Sequence, residues 1–166
     1  MTGWKQDKRW SDRFLPEIKR ILGEHLISEP PTEEDAEHNT DLMVLRLDAI
    51  RIGCRIRRYK DFHKYSQEFT IRAWRPSGAK TELTKIIEGW GDYFFYGFSD
   101  EQEEKLVQWI LCDLKAFRLY FNRYMATHEG NVPGMGKKNI DNSSSFLAFK
   151  YSEIPELIVA SNVERI

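Results

Sequence analysis

A short run of alternating residues constrains the fold more than any other feature of this chain. Between positions 50 and 57 two sets of residues alternate, Ile50, Ile52, Cys54 and Ile56 against Arg51, Gly53, Arg55 and Arg57. Successive side chains of a β-strand point to opposite faces, so the run predicts a strand with one apolar face and one arginine face. The apolar face needs a covering layer, which indicates a sheet packed against other elements.

A second alternation and two helical patterns complete the predicted core. From Glu68 to Trp74, one face carries Phe69, Ile71 and Ala73, and the other carries Glu68, Thr70 and Arg72. Apolar residues at helical spacing predict helices at about 12–27 and 80–88. These patterns indicate an α/β fold of mixed α+β type, with a central mixed β-sheet flanked by helices. We expect one sheet to contain the strands near 42–47, 50–58, 68–74 and 93–98.

The second half of the chain predicts three further elements. The aromatic segment from Tyr93 to Phe98 is typical of a strand buried on both faces. Leu106 to Cys112 predicts another strand, after which Asp113 is placed to cap a helix. Residues 130–145 are rich in Gly, Ser and Asn and predict a loop, and the chain then returns to the sheet or its edge.

Size and composition indicate one packed domain covering residues 1–166. The chain is 41% hydrophobic, which is enough for a core. It has no apolar run of about 18 residues and no apolar segment at its start, so neither a membrane span nor a signal peptide is expected. Cys54 and Cys112 stand far apart without a CxxC partner. We therefore expect a soluble protein of a reducing cytoplasm.

The net charge of −1 averages two opposed blocks of sequence. Residues 24–41 contain seven acidic residues and no Lys or Arg, whereas residues 46–85 contain eleven basic residues and four acidic ones. Such asymmetry predicts an anionic partner, and the arginine face suggests nucleic-acid phosphates as that partner. The expected contacts are Arg51, Arg55, Arg57, Arg58 and Lys80. The alternative is a pair of solvated faces that attract one another.

Two acidic residues at strand positions form a candidate metal site. Asp41 precedes one apolar strand and Glu68 opens another on its polar face. Oxygen ligands held on adjacent strand ends suit Mg²⁺, which activates water and neutralises charge on a phosphate. Alternatives remain for both residues: Asp41 suits a turn or cap, and Glu68 suits an ion pair with Arg55, Arg57 or Arg72.

Two other candidate sites fail on spacing. The four histidines do not stand at distances typical of metal ligands. The segment Gly134-Met-Gly-Lys-Lys resembles a phosphate-binding loop, but it lacks the glycine spacing and the final Ser or Thr of the Walker A motif. Neither one therefore supports a functional assignment.

Residues 12–98 resemble the PD-(D/E)XK nuclease superfamily. Thr40-Asp-Leu-Met-Val-Leu is similar to its metal-binding strand, and Glu-Phe-Thr at 68–70 stands at its (D/E)XK triplet. Glu17 or Glu24 on the first helix resembles its accessory acid. Glu-Phe-Thr-Ile-Arg and Lys-Ile-Ile-Glu-Gly-Trp-Gly-Asp-Tyr also resemble segments of phage proteins. Thr70 replaces the lysine of the triplet, and the gap of 27 residues from Asp41 to Glu68 is long for the family.

This resemblance implies a metal-dependent DNA endonuclease with a restriction-endonuclease-like core. It implies that Asp41, Glu68 and Glu17 bind Mg²⁺ or Mn²⁺, and that Lys85, Lys80 or Arg72 takes the role of the missing lysine. An alternative is a catalytically inactive phage protein of the same fold that binds nucleic acid or blocks a host defence factor. A third interpretation is a structural or assembly protein whose charge blocks mediate self-association. The expected partner is DNA, and a homodimer is a further expectation.

Overall fold

The computed structural model describes residues 3–28, 43–44, 50–139 and 141–163. Its helices are α1 (Gly3–Asp12), α2 (Leu15–Leu26), the single turn α3 (Phe62–Tyr65), α4 (Glu82–Ile87) and α5 (Leu114–Thr127). Its strands are β1 (Ile27–Ser28), β2 (Met43–Val44), β3 (Ile52–Arg57), β4 (Glu68–Trp74), β5 (Tyr93–Ser99), β6 (Leu106–Asp113), β7 (Met135–Lys138), β8 (Ser145–Lys150) and β9 (Ile158–Ser161). None of the helices described is long and apolar enough to cross a membrane.

Most of the strands belong to two separate sheets. The first is a mixed sheet in the order β3-β5-β6-β9, in which only the β3–β5 pair is parallel. The second is an antiparallel sheet in the order β4-β8-β7. A small antiparallel pair, β1 with β2, stands apart from both. The fold is therefore α+β with a mixed sheet, which confirms the predicted class.

The mixed sheet is covered on both faces. On one face, Phe14 and the α2 residues Ile18 and Ile21 belong to a buried cluster that also includes Phe95 and Leu111. The other face packs against the second sheet and α5, in a core cluster that contains Phe69, Phe94, Tyr96, Phe117 and Phe149. The strand β5 contributes side chains to both clusters, because alternate residues point to opposite faces. This arrangement confirms that Tyr93 to Phe98 forms a strand with two buried faces.

The expectation of a single sheet is wrong, because β3 and β4 lie in different sheets. The chain leaves β3, forms β4 and α4, and returns as β5 to pair in parallel with β3. β4 finds its partner much later in the chain, with Phe69 opposite Phe149. Alternation reports which faces of a strand are apolar, but backbone hydrogen-bonding groups are alike in every strand and do not specify the partner.

Three element boundaries also differ from the prediction. The helix expected at about 12–27 is α2 (Leu15–Leu26), and a further helix that the sequence did not predict, α1 (Gly3–Asp12), precedes it across a turn at Arg13 and Phe14. The loop expected at 130–145 contains β7, a Gly/Lys strand without an alternating pattern. Of the strand expected at 42–47, the described part is Met43–Val44, which pairs with Ile27–Ser28.

The helix caps follow the sequence closely. The carboxylate of Asp113 accepts hydrogen bonds from the main-chain nitrogens of Lys115 and Ala116, at 2.7 and 2.9 Å, and begins α5 as predicted. Gly89 follows α4 with φ of +99°, the left-handed conformation that favours glycine at a helix C-terminus. Thr81 caps α4 by accepting a hydrogen bond from the nitrogen of Thr84.

Candidate functional site: a basic groove along β3

A groove of about 610 Å³ runs beside β3, which is an edge strand of the mixed sheet within the described residues. Its walls come from α1, β3, the turn after β3, β4, β7 and Phe146. Three acidic and eight basic residues line it, and the basic ones are Lys8, Arg55, Arg57, Arg58, Lys60, Arg72, Lys137 and Lys138. We call this surface the basic groove. It gathers cations from four stretches of the chain that are distant in sequence.

Arg55 crosses the groove from one sheet to the other. Its Nη1 donates a hydrogen bond to the main-chain oxygen of Thr70 at 3.1 Å, and its Nη2 lies 3.1 Å from a carboxylate oxygen of Glu82. The same carboxylate accepts a hydrogen bond from the nitrogen of Arg72. Only 18% of the Arg55 side chain is exposed. Arg55 is therefore a partly buried, paired cation and not part of a solvated strand face.

Arg72 lies beside Arg55 but has no carboxylate partner within the described residues. Both guanidinium groups lie 5.4 Å from the centroid of the Phe146 ring. The Nε of Arg72 is buried and has no hydrogen-bond partner there. Burial, followed by repulsion from Arg55 and Arg75, lowers the pKa of Arg72 from its ordinary value, and attraction to Glu82 offsets this lowering only in part. The neighbourhood of Arg72 thus has an excess of positive charge that an anion would relieve.

Three further cations lie near a second ring, that of Tyr65. The guanidinium of Arg57 lies 5.1 Å, the ammonium of Lys137 4.6 Å and the ammonium of Lys64 5.2 Å from its centroid. Arg57 also donates to the carboxylate of Asp61 at 3.0 Å. Burial opposes the charge on Arg57, but Tyr96 and Asp61 outweigh it and raise the pKa of Arg57 above its ordinary value. Tyr65 and Phe146 are thus two aromatic surfaces that position cations.

Glu68 is neutralised by a residue that lies far away in the sequence. Its carboxylate forms an ion pair with Lys137 on β7, with side-chain exposures of 13% for Glu68 and 28% for Lys137. The sequence suggested an ion pair with Arg55, Arg57 or Arg72 instead. Lys137 was missed because its segment was interpreted as a loop. The Gly-Lys-Lys pattern itself, with two cations after a glycine, was the available signal.

The wall of the groove formed by α1 is anchored at Glu103. One carboxylate oxygen of Glu103 accepts a hydrogen bond from Nε1 of Trp10 at 2.6 Å, and the other pairs with Arg58. The Arg58 guanidinium also lies 4.2 Å from the Trp10 ring. Hydrogen bonds from Trp10 and Arg58 lower the pKa of Glu103. These contacts tie α1 to the end of β3.

The structure brings together some of the residues expected at a nucleic-acid site and separates others. Arg55, Arg57, Arg58 and Arg72 all line the basic groove. Three other expected residues, Arg51, Lys80 and Lys85, are exposed and do not line it. Lys80 pairs instead with Glu88 at 2.7 Å.

The carboxylates expected at a metal site do not form one cluster in the described part of the chain. Glu17 accepts a hydrogen bond from the nitrogen of Leu106 at 3.0 Å and so joins α2 to β6. Its helix covers the face of the mixed sheet that points away from β4 and Glu68. Asp41 and its expected strand start lie outside the described residues. Within those residues, no group of three or more His, Cys, Asp or Glu is arranged to hold a metal ion.

Thr70 occupies the position where the resemblance implies a lysine. It is buried, and its hydroxyl lies 3.3 Å from the hydroxyl of Tyr96. Burial raises the pKa of Tyr96 from its ordinary value. The Thr70 side chain therefore joins the two sheets and has no cationic role.

Comparisons with protein-family models, with curated proteins and with solved structures found no match to this chain.

Proposed function

We propose that this protein binds nucleic acid through the basic groove, with strand phosphates held by Arg72 and the cations around it. The observation that carries the proposal is the incompletely compensated charge of Arg72, which lines the groove beside Arg55 and makes no ion pair within the described residues. Arginine presents a planar set of donors that matches phosphate oxygens. A phosphate in the groove beside its guanidinium would supply the missing negative charge.

The distribution of the other cations supports a polymer with repeated phosphates. Lys60 and Lys138 line the groove and make no ion pair with any residue that the structure describes. They come from the turn after β3 and from the end of β7, whereas Arg72 belongs to β4. One or two of these cations would be enough to bind a small anion. Cations spread over several walls suit a chain that carries a charge at every unit.

We favour binding over metal-dependent cleavage because of the state of Glu68. Its carboxylate is paired with Lys137 and mostly buried. To bind Mg²⁺, Glu68 would have to release this lysine and leave it unpaired in the groove, which costs free energy. Binding to phosphates requires no such rearrangement. The endonuclease activity implied by the resemblance stays a prediction, which rests on Asp41.

The proposal is tested by charge reversal inside and outside the groove. The variant Lys60→Glu/Lys138→Glu reverses two lining residues, and Lys105→Glu/Lys115→Glu reverses two exposed residues that do not line it. Both changes alter the net charge equally. Binding to labelled oligonucleotides is measured by fluorescence anisotropy at several salt concentrations. We expect the groove variant to lose about tenfold or more in affinity. The slope of log affinity against log salt concentration should become shallower by the amount that about two phosphate contacts contribute.

The control variant is expected to bind nearly as tightly as the native protein. Equal losses in the two variants would show that net charge alone drives binding and would contradict the proposal. Parallel incubations with Mg²⁺ and Mn²⁺, resolved on a gel, test for cleavage. Cation-dependent cleavage that is lost in Asp41→Asn would support the endonuclease instead.

A further inference from the structure

We infer that the nucleic acid that enters the basic groove is an unpaired strand and not a double helix. This inference rests on the function proposed above and names the form of its ligand. Three features of the groove support it: the depth of its cations, its volume, and the way in which its aromatic rings are covered.

The first feature is the depth of the arginines. Arg55 and Arg57 have side-chain exposures of only 18% and 26%, and the Nε of Arg72 is buried. In a double helix, phosphates lie on a broad convex surface and both backbones are held apart by the base pairs. Such a surface contacts the rim of a groove more easily than its floor. A single strand is flexible and can lower one phosphate at a time onto the floor.

The second feature is volume. The groove encloses about 610 Å³, which lies within the range of about 300–1,000 Å³ found for pockets that hold one small organic molecule. A space of this size suits one or two nucleotides. The protein elements that fit into duplex grooves are a helix or a two-stranded ribbon inserted into a major groove about 12 Å wide. The basic groove has the opposite shape, since it is concave and the arginines Arg55 and Arg57 are mostly buried in it.

The third feature is the covering of the aromatic rings. Each of the three rings that line the groove, those of Trp10, Tyr65 and Phe146, carries at least one cation near its face. A guanidinium that lies on a ring presents its own second face to a ligand. Unpaired bases stack on arginine planes and aromatic rings, whereas bases inside a duplex have no free face. The ring–arginine pairs therefore provide stacking surfaces that only an unpaired strand can use.

The test is a competition between strands of the same sequence. A labelled single strand is bound to the native protein and displaced by unlabelled single strand or by the corresponding blunt duplex, with DNA and RNA versions of each. We expect the single strand to compete at least about tenfold more effectively than the duplex, as stacking of one base or two would produce. With one or two nucleotides in the groove and one on either side at its rim, oligonucleotides of increasing length should reach constant affinity at about four nucleotides, the lower end of known single-strand sites.

A variant pair tests the stacking surface. Phe146→Leu removes the ring beside Arg55 and Arg72, whereas Trp90→Leu removes an exposed ring that does not line the groove. We expect Phe146→Leu to reduce the ratio between the affinities for the single strand and for the duplex, and Trp90→Leu to leave this ratio unchanged. Thermal unfolding of both variants verifies that they fold. If Phe146→Leu does not fold, Tyr65→Leu is used in its place.

The outcomes separate this inference from the function on which it rests. Duplex that competes as well as the single strand, or better, overturns the inference and leaves nucleic-acid binding intact. Absence of binding to both forms overturns the proposed function together with the inference. A clear preference for the single strand that Phe146→Leu weakens supports both.

Discussion

Arg55 on β3 donates a hydrogen bond to the main-chain oxygen of Thr70 on β4 across 3.1 Å. The two strands belong to different sheets, so this contact joins the sheets inside the basic groove. Arg55 also pairs with Glu82 in the first turn of α4. One guanidinium therefore stabilises the packing of the two sheets and contributes to the positive charge of the site.

Replacement of Arg55 should destabilise the fold. Arg55→Met keeps an apolar stem beside Phe146 but removes the ion pair with Glu82 and the donor to the main-chain oxygen of Thr70. We expect the free energy of unfolding to fall by about 1–3 kcal/mol, as measured by urea denaturation. Arg51→Met, on an exposed residue that precedes β3, should change it by less than about 0.5 kcal/mol. Similar effects for the two variants would show that Arg55 makes no structural contribution.

The ion pair between Glu68 and Lys137 should be energetically coupled. Glu68→Gln and Lys137→Met each leave a partly buried charge without its partner, and each should cost about 1–3 kcal/mol. The double variant should cost less than the sum of the two, by about 0.5–3 kcal/mol. The exposed pair of Lys80 and Glu88 serves as the control and should show a coupling of about 0–1 kcal/mol.

The same experiment bears on the metal site implied by the resemblance. If the main role of Glu68 is to hold a cation together with Asp41, Glu68→Gln relieves repulsion between the two carboxylates. The protein without metal would then be as stable as the native form, or more stable. Loss of stability in Glu68→Gln, absent any added cation, would indicate the structural ion pair.

Gly134 should be required for the position of β7. Its φ is +86°, and a Cβ placed there would lie 2.9 Å from a ring atom of Phe149 and 3.0 Å from the oxygen of Ala148. Gly130 also has a positive φ, of +81°, but a Cβ there meets nothing within 4 Å. Gly130→Ala should therefore cost about 1 kcal/mol from backbone strain alone, and Gly134→Ala about 1–3 kcal/mol more from overpacking.

Gly134→Ala should also weaken binding in the groove, because Lys137 and Lys138 follow directly on β7. Anisotropy with a labelled single strand measures this effect. A Gly134→Ala variant that is as stable as Gly130→Ala would contradict the close packing of β7 against β8.

The two cysteines should respond differently to a thiol reagent. Cys112 is buried, and burial with the nearby Asp113 raises the pKa of its thiol to about 12. Cys54 is exposed, although partial burial raises its pKa as well. Because the thiolate is the reactive form, at about pH 8 Cys54 should react more slowly than a free cysteine, and its rate should rise with pH. Cys112 should react only in denaturant.

Cys54 lines the basic groove and therefore reports on its occupancy. A saturating single-stranded oligonucleotide should slow the labelling of Cys54 in the folded protein. The labelling of Cys112 in denaturant serves as the reference, since no groove exists there. An unchanged rate at Cys54, under conditions where anisotropy shows full binding, would place the ligand elsewhere on the molecule.

Part of the candidate site could be predicted from local pattern. The alternation in β3 placed Arg55 and Arg57 together on one face, and both point into the groove. It could not predict whether that face would be solvated or enclosed, because this depends on which element covers it. The covering elements are β4 and β7, and β7 lies about 80 residues later in the chain.

The amino-acid sequence by itself determined the local features of this protein. It specifies which faces of β3 and β4 are apolar, the two buried faces of β5, and the cap that Asp113 provides to α5. These depend on neighbours within a few residues, through side-chain alternation and main-chain hydrogen bonds. Tertiary structure alone decided that β3 and β4 separate into two sheets, and that Lys137 meets Glu68. Backbone groups pair with any strand, so the partners follow from how the aromatic core packs as a whole.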